Sequence, residues 1–263
     1  MDRILSMLGG GASGGQVIAA KDALPGRAAE TQVTNKHHVL GAAIKPPFPD
    51  GTESAVFATG CFWGTEKMFW RVPGVRCTSV GYCAGHTPNP TYEEVCSGRT
   101  GHTEAVQVAW DPDVVSFADL LAMHWTCHDP TQGMRQGNDR GTQYRSGIYC
   151  STAAQLEMAK SGAQAYAAAL KAAGKSSDVT TEMRGPGTTY YFAEDYHQQY
   201  LSKPGARPYC SAQPTGVPVP RDWLKENGAK FGEGYWKMFG PKPGCTINVP
   251  NEQISLEAAM AVE

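Results

Sequence analysis

Between residues 104 and 110 the chain reads EAVQVAW, with Val106, Val108 and Trp110 at alternate positions. A period of two marks a strand with one buried face, and Asp111-Pro112 ends it. The run SAVFA (54–58) predicts a short buried strand, and VRCTSVGYC (75–83) a β-branched one. Between them, residues 61–72 predict a helix stopped by Pro73-Gly74. In SFADLLAMHWTCH (116–128) the period lengthens: Phe117, Leu120, Leu121, His124 and His128 fall at helical spacing. YRSGIYC (144–150) predicts another strand. Ser151 then precedes a helix with Thr152 and Gln155 placed as a capping box, an apolar stripe of Leu156, Ala159, Ala163, Tyr166 and Leu170, and Gly174 to stop it. DVTTEM and TTYYFAED predict two further strands. The polar, Gly- and Pro-rich stretches after residue 83 and over 129–143 read as long loops.

The order β-α-β-loop-β-α-loop-β-α-β-β predicts an α+β fold with a mixed sheet and helices packed on it. Residues 1–50, with LGGGASGG near the start, read as a flexible N-terminal arm. A main folded domain is expected over 51–218. Residues 203–250 are rich in Pro and Gly and read as a tail, so 219–263 form an extension that wraps or flanks the domain. There is no internal repeat.

With 263 residues and 41% hydrophobic content, the chain can bury a sizeable core. A net charge of −2 and the absence of a basic stripe argue against a nucleic-acid partner, and no apolar run has spanning length. Asp2, Asp22 and Glu30 in the first fifty residues weaken a targeting reading. The expected location is the cytoplasm, with organellar targeting by the arm left open. The eight cysteines include no C-x-x-C pair, and a chain of this size folds without staples. Most thiols are therefore expected to be free, with Cys77, Cys83, Cys127 and Cys150 structural and Cys96 a packing residue.

Cys61 stands apart. It follows Gly60 where the first helix begins, a position whose free N–H groups stabilise a thiolate. Phe62 and Trp63 beside it offer an apolar wall for a methyl or thioether group. Glu104, if buried, is a carboxyl that stays protonated. Tyr92 and Tyr144 can donate phenolic hydrogen bonds to an oxygen, with Asp139 placed to orient them. Taken singly, each of these residues has an ordinary structural explanation.

Four ordered blocks, GCFWGTEKMFWRVPGV, VGYCAGHTPNPTYEEVCSGRTGHTEAV, HDPTQGMRQGNDRGTQYRSGIY and YYFAEDYHQQYL, resemble the A-type methionine sulfoxide reductases, the peptide-methionine (S)-S-oxide reductases. The resemblance spans roughly residues 54–210. It implies a two-layer, ferredoxin-like α/β plait with irregular extensions at both ends. It also implies that Cys61 is the nucleophile, that Phe62 and Trp63 hold the sulfoxide methyl group, and that Glu104 protonates the sulfoxide oxygen. Tyr92 and Tyr144 would bind that oxygen, with Asp139 a supporting acid. The implied activity is reduction of the S epimer of methionine sulfoxide, protein-bound or free, by thiolate attack, a sulfenic acid, an intramolecular disulfide and recycling by thioredoxin. No bound cofactor or metal is implied, and the enzyme is expected to act as a monomer. Family members commonly carry two resolving cysteines near the C-terminus. Here Cys210 stands where the first would fall, no cysteine lies near Val217–Pro218, and Cys245 is the candidate second thiol.

Three other readings use the same residues. His124, Cys127 and His128 have metal-ligand spacing, but that face also carries Leu120 and Leu121. A cysteine hydrolase would need His102 or His197 as base. A thiol redox sensor or peroxidase would use Cys61 without the set of Glu104, Tyr92 and Tyr144.

Overall fold

The computed structural model describes residues 15–242 and 249–262. Its centre is a six-stranded sheet ordered β7-β6-β1-β3-β2-β8. The strands are β1 (Glu53–Thr59), β2 (Val75–Cys83), β3 (Thr103–Trp110), β6 (Ser146–Cys150), β7 (Glu182–Arg184) and β8 (Tyr190–Phe192). Neighbours are antiparallel except β6 and β7, which run parallel, so the sheet is mixed as expected. A two-stranded ribbon, β4 (Arg135–Gln136) with β5 (Asp139–Arg140), stands apart from it.

The predicted period of two decides the two faces. Phe57, Val106, Val108, Trp110 and Ile148 point into the main core, while Ala58, Ala105 and Tyr149 pack on the other side. The main core is closed by α1 (Phe62–Trp70), α3 (Phe117–Cys127) and α4 (Ala153–Ala172). Helix α1 stops at Arg71, two residues before Pro73, because a residue preceding proline is driven out of the helical region. Helix α3 starts on a capping box between Ser116 and Asp119, and Thr152 caps α4 through the Gln155 N–H.

Four short helices were not expected. Helix α2 (Tyr92–Cys96) sits in the first long loop, begun by a capping box between Thr91 and Glu94. Helices α5 (Arg221–Glu226), α6 (Glu233–Phe239) and α7 (Leu256–Met260) lie in the tail. The tail is docked on the domain: Trp223 donates to Ser161 on α4, and the Tyr166 hydroxyl reaches Thr215 and the Val217 carbonyl. Gln253 Nε2 donates to the carbonyls of Val72 and Val75. Among the described residues no helix is long and apolar enough to cross a membrane.

Residues 15–50 contain a single 3-10 turn, Ala20–Asp22, yet this segment is not detached. Arg27 pairs with Glu94, the Leu24 N–H bonds to the Arg99 carbonyl, and Ile44 and His37 are fully buried. His37 Nε2 meets the Thr78 hydroxyl at 2.9 Å. Of the arm expected to be flexible, residues 15–50 therefore lie along the domain through specific contacts, several of them buried; residues 1–14 lie outside the described residues.

Asp119 joins helix start and tail. Besides the Ser116 N–H and hydroxyl, its carboxylate accepts the N–H groups of Lys230 at 2.8 Å and Phe231 at 3.2 Å. Substituting Asp119→Ala leaves these buried donors without a partner, and each unsatisfied donor costs about 1–3 kcal/mol. The expected result is a loss of about 3 kcal/mol in urea unfolding; a loss below about 1 kcal/mol would show that the tail does not depend on this carboxylate.

Candidate active site

Strand β1 ends at Thr59, and Gly60 turns the chain at φ +103°, a region that side-chain-bearing residues avoid. A Cβ at Gly60 would also stand 2.7 Å from the Gln136 side chain. This turn delivers Cys61 as the N-cap of α1. The N–H groups of the first helical turn have no partner within the helix, and here two side chains divide them. The Phe62 N–H donates to Glu104 Oε2 at 3.0 Å. Those of Trp63 and Gly64 are directed at the Cys61 sulfur, where they favour the thiolate.

Glu104 is buried on β3, next to the turn. Burial raises its pKa to about 8, against the Phe62 hydrogen bond, which lowers it, with a smaller upward push from Asp139. At neutral pH the carboxyl is therefore largely a neutral acid, as the sequence reading required. For Cys61 the expected direction is reversed. Burial pushes the thiol well above its ordinary value, the nearby Glu104 charge adds to this, and the two helix N–H groups do not compensate. The expectation of a resting thiolate is corrected accordingly: in the substrate-free site Cys61 is a thiol.

Tyr92, at the first position of α2, and Tyr144, at the end of a 3-10 turn over Thr142–Tyr144, are both half-buried. Burial, with the Glu104 charge among the further causes, raises both phenols far out of the titrating range, so their hydroxyls remain donors. The structure thus gathers Cys61, Glu104, Tyr92 and Tyr144 around the start of α1. Asp139 also lies close enough for its charge to act on Cys61. It was expected to orient Tyr92 and Tyr144, but its carboxylate instead accepts the hydroxyls of Tyr209 and Ser211.

Phe62 is fully buried and Trp63 half-buried, their ring centroids 6.5 Å apart. Residues that the sequence reading did not place in the site hold them. His197 Nδ1 accepts the Trp63 indole N–H at 3.1 Å, and Tyr200 stacks on Trp63 at 4.0 Å. Glu194 accepts the Tyr82 hydroxyl and the Tyr92 N–H, both at 2.8 Å. Glu194, His197 and Tyr200 lie in AEDYHQQY, a block quoted for its resemblance, in which only His197 was given a task, as the base of a rival hydrolase reading; its cluster of aromatic and charged residues was the available signal.

Of the remaining cysteines, Cys77, Cys83, Cys127 and Cys150 are buried free thiols. Cys96 is free but exposed, and it pairs with the Tyr92 hydroxyl, so it is not the packing residue expected. Cys210 is disulfide-bonded, and its partner is not Cys61, which is free. Cys245 lies outside the described residues. His128 is held between the His124 carbonyl and the Ser146 hydroxyl, both at 2.8 Å, which makes it a loop anchor. His102 is likewise occupied by the Thr87 carbonyl and the Gly85 N–H. The open apolar groove of about 590 Å³ between the tail and α3 is lined by none of the site residues.

A family model described as peptide methionine sulfoxide reductase matches residues 53–221. The chain belongs to this family. The reductase is 55% identical over 208 residues to the peptide methionine sulfoxide reductase MsrA of Salinispora arenicola, across 78% of this chain and 93% of that one. It is 58% identical over 203 residues to MsrA of Rhodospirillum centenum, across 76% and 90%. The solved methionine sulfoxide reductase A of Corynebacterium diphtheriae superposes with a TM-score of 0.69 at 46% identity, covering 78% of this chain and 99% of that structure. Reduced Mxr1 of Saccharomyces cerevisiae gives 0.56 at 30% identity, covering 64% and 94%. The reductase is thus an oxidoreductase.

Because the Glu104 charge raises the Cys61 pKa, Glu104→Gln should increase the thiolate fraction wherever Glu104 is ionised, above about pH 8. Alkylation of Cys61 at pH 9, followed by mass spectrometry of its peptide, is expected to be at least about threefold faster in the variant. An equal or slower rate would mean that the two groups do not share a field.

Proposed function

We propose that this methionine sulfoxide reductase acts on the S epimer, with Cys61 as nucleophile and Glu104 as the acid that activates the sulfoxide. The observation that carries the reading is the buried Glu104 carboxyl, neutral at pH 7 and sharing the α1 N-terminus with the thiol. A sulfoxide sulfur is a poor electrophile until its oxygen is protonated or strongly hydrogen-bonded. Glu104 can supply the proton, while Tyr92 and Tyr144 donate to the same oxygen as the S–O bond polarises. Phe62 and Trp63 form the apolar side on which the methyl group rests. Methyl, oxygen and the remaining chain each need their own place around sulfur, which favours one epimer.

The high Cys61 pKa fits this chemistry. As sulfur attacks sulfur, the thiol must lose its proton. Glu104, having given its own proton to the oxygen, is then a carboxylate beside that thiol and can take the proton back. The net step transfers one oxygen atom: sulfoxide plus Cys61 thiol gives thioether plus Cys61 sulfenic acid. Cys210, as a thiol, condenses with the sulfenic acid to form a disulfide and water, and dithiol exchange with thioredoxin restores the enzyme. A disulfide at Cys210 beside a free Cys61 is consistent with the oxidising equivalent having moved off the nucleophile. The part given to Cys245 rests on the sequence alone. The sheet order β6-β1-β3-β2, antiparallel throughout, supports the plait implied by the family. A monomeric, cytoplasmic enzyme taking free and protein-bound substrate completes the proposal.

A thioredoxin-coupled assay on the separated epimers of a blocked methionine sulfoxide is expected to consume the S form alone. Turnover of the R form at a comparable rate would overturn the stereochemical reading, and any turnover by Cys61→Ser would overturn the nucleophile. In single turnover, the rate depends on the protonated fraction of Glu104, so it should fall as pH rises through about 8. Glu104→Gln should lower that rate by about 10²-fold or more and abolish the fall. A wild-type rate that keeps rising to pH 9.5 would remove Glu104 as the acid.

A further inference from the structure

The segment carrying Cys210 is not loose. Tyr209 and Ser211, its immediate neighbours, both donate their hydroxyls to the Asp139 carboxylate, one to each oxygen. Two residues on, the Gln213 N–H donates to Gln136 Oε1 at 3.0 Å, and Gln132 Nε2 donates to Gln213 Oε1 at 3.0 Å. Gly137 lies between these anchors at φ +59°, and a Cβ there would stand 2.3 Å from the Ser211 carbonyl oxygen. The close approach therefore requires glycine. The same loop reaches the nucleophile. The Gln136 side chain packs on Gly60, the residue before Cys61, so closely that a Cβ on that glycine would overlap it. On the other side the Tyr209 ring meets Trp63 edge-on at 6.4 Å and lies within the electrostatic reach of Cys61.

We infer that loop 132–139 is a cradle that holds the Cys210 segment against the Cys61 turn, with Tyr209, Ser211 and Asp139 acting as positioning residues for the resolving step. The inference rests on the proposed role of Cys210 as the resolving thiol. The cradle is closed while Cys61 is free and Cys210 is bonded elsewhere, so a Cys61–Cys210 bond is not what holds it. After a dithiol such as thioredoxin reduces Cys210, the thiol is still seated beside the site. When Cys61 becomes a sulfenic acid, the Cys210 sulfur attacks the Cys61 sulfur, the S–O bond breaks, and hydroxide leaves as water with the proton from Cys210. Holding two reactants in place makes such a step effectively unimolecular and accounts for large rate factors. Pro- and Gly-rich composition fits a mobile arm or an inert tail equally well; the hydrogen bonds here describe a docked segment.

The test is the double variant Tyr209→Phe/Ser211→Ala, which removes both hydroxyls and keeps the ring against Trp63. After one equivalent of methyl sulfoxide substrate, the rates of methionine release and of disulfide formation are measured separately, and Cys61 sulfenic acid is trapped with a dimedone-type probe. Disulfide formation is expected to slow at least about tenfold more than methionine release, with sulfenic acid accumulating. Turnover should recover with excess dithiothreitol, which attacks the sulfenic acid directly; a general loss of folding would not be rescued in this way. Ser211→Ala alone should slow the step less, in the same direction. Disulfide formation at the parent rate in both variants would overturn the cradle. Cys210→Ser separates the two ideas. If that variant sustains thioredoxin-driven turnover, the resolving role of Cys210 is wrong. If it stalls while the double variant resolves at the parent rate, Cys210 stands and the cradle falls.

Discussion

At the start of α1, backbone N–H groups left without helical partners are divided between a carboxyl and a thiol, and the site depends on that division. Phe62 gives its N–H to Glu104, while Trp63 and Gly64 turn theirs to Cys61. Glu104 is buried and Cys61 partly so, and neither gains enough from the helix end to ionise at neutral pH. The result is two protonated groups side by side, so that a Glu104 that has given up its proton can take the one that Cys61 releases. An anionic Cys61 beside an anionic Glu104 would place two like charges in one low-dielectric pocket, which is costly. Neutrality at rest is the condition under which the carboxyl and the thiol can stand this close.

The surrounding structure keeps that helix end in place. Gly60 permits the sharp turn that aims Cys61, and the Thr65 hydroxyl returns to the Cys61 carbonyl at 3.0 Å. Deeper in α1, the buried Glu66 accepts from the backbone and side chain of Gln199 and from Thr78. Gln199 sits at φ +48°, a strained conformation for a residue with a side chain, and its partners stabilise it there. The same turn carries His197 and Tyr200 onto Trp63. Helix, turn and aromatic wall are thus tied by hydrogen bonds over more than a hundred residues of chain. The tail and the N-terminal segment add further seals, Asp119 and Thr78 being the points at which each joins the core.

The elements legible in the sequence were those with a sustained period. Val106, Val108 and Trp110 announced β3 and its buried face, and Leu120 and Leu121 announced α3. The place of Cys61 at the start of α1 followed from Gly60 and the helical run after it. Helix α2 is five residues long, too short to establish a period, although Thr91 and Glu94 carried its capping signature. The tail helices are of five to seven residues and owe their existence to docking rather than propensity. Two features could not be read from one dimension. The direction of the Cys61 shift is set by enclosure, which no local string encodes. Asp139 finds its partners 70 and 72 residues away, and nothing near GNDRG points to them.

Glu104 is a neutral acid at physiological pH because it is buried at this helix end. Infrared difference spectroscopy of the wild type against Glu104→Gln, recorded across pH 5–10, reads that proton directly. A protonated carboxyl C=O band assigned to Glu104 is expected at pH 7, giving way to carboxylate near pH 8. A carboxylate already formed by pH 6 would contradict it.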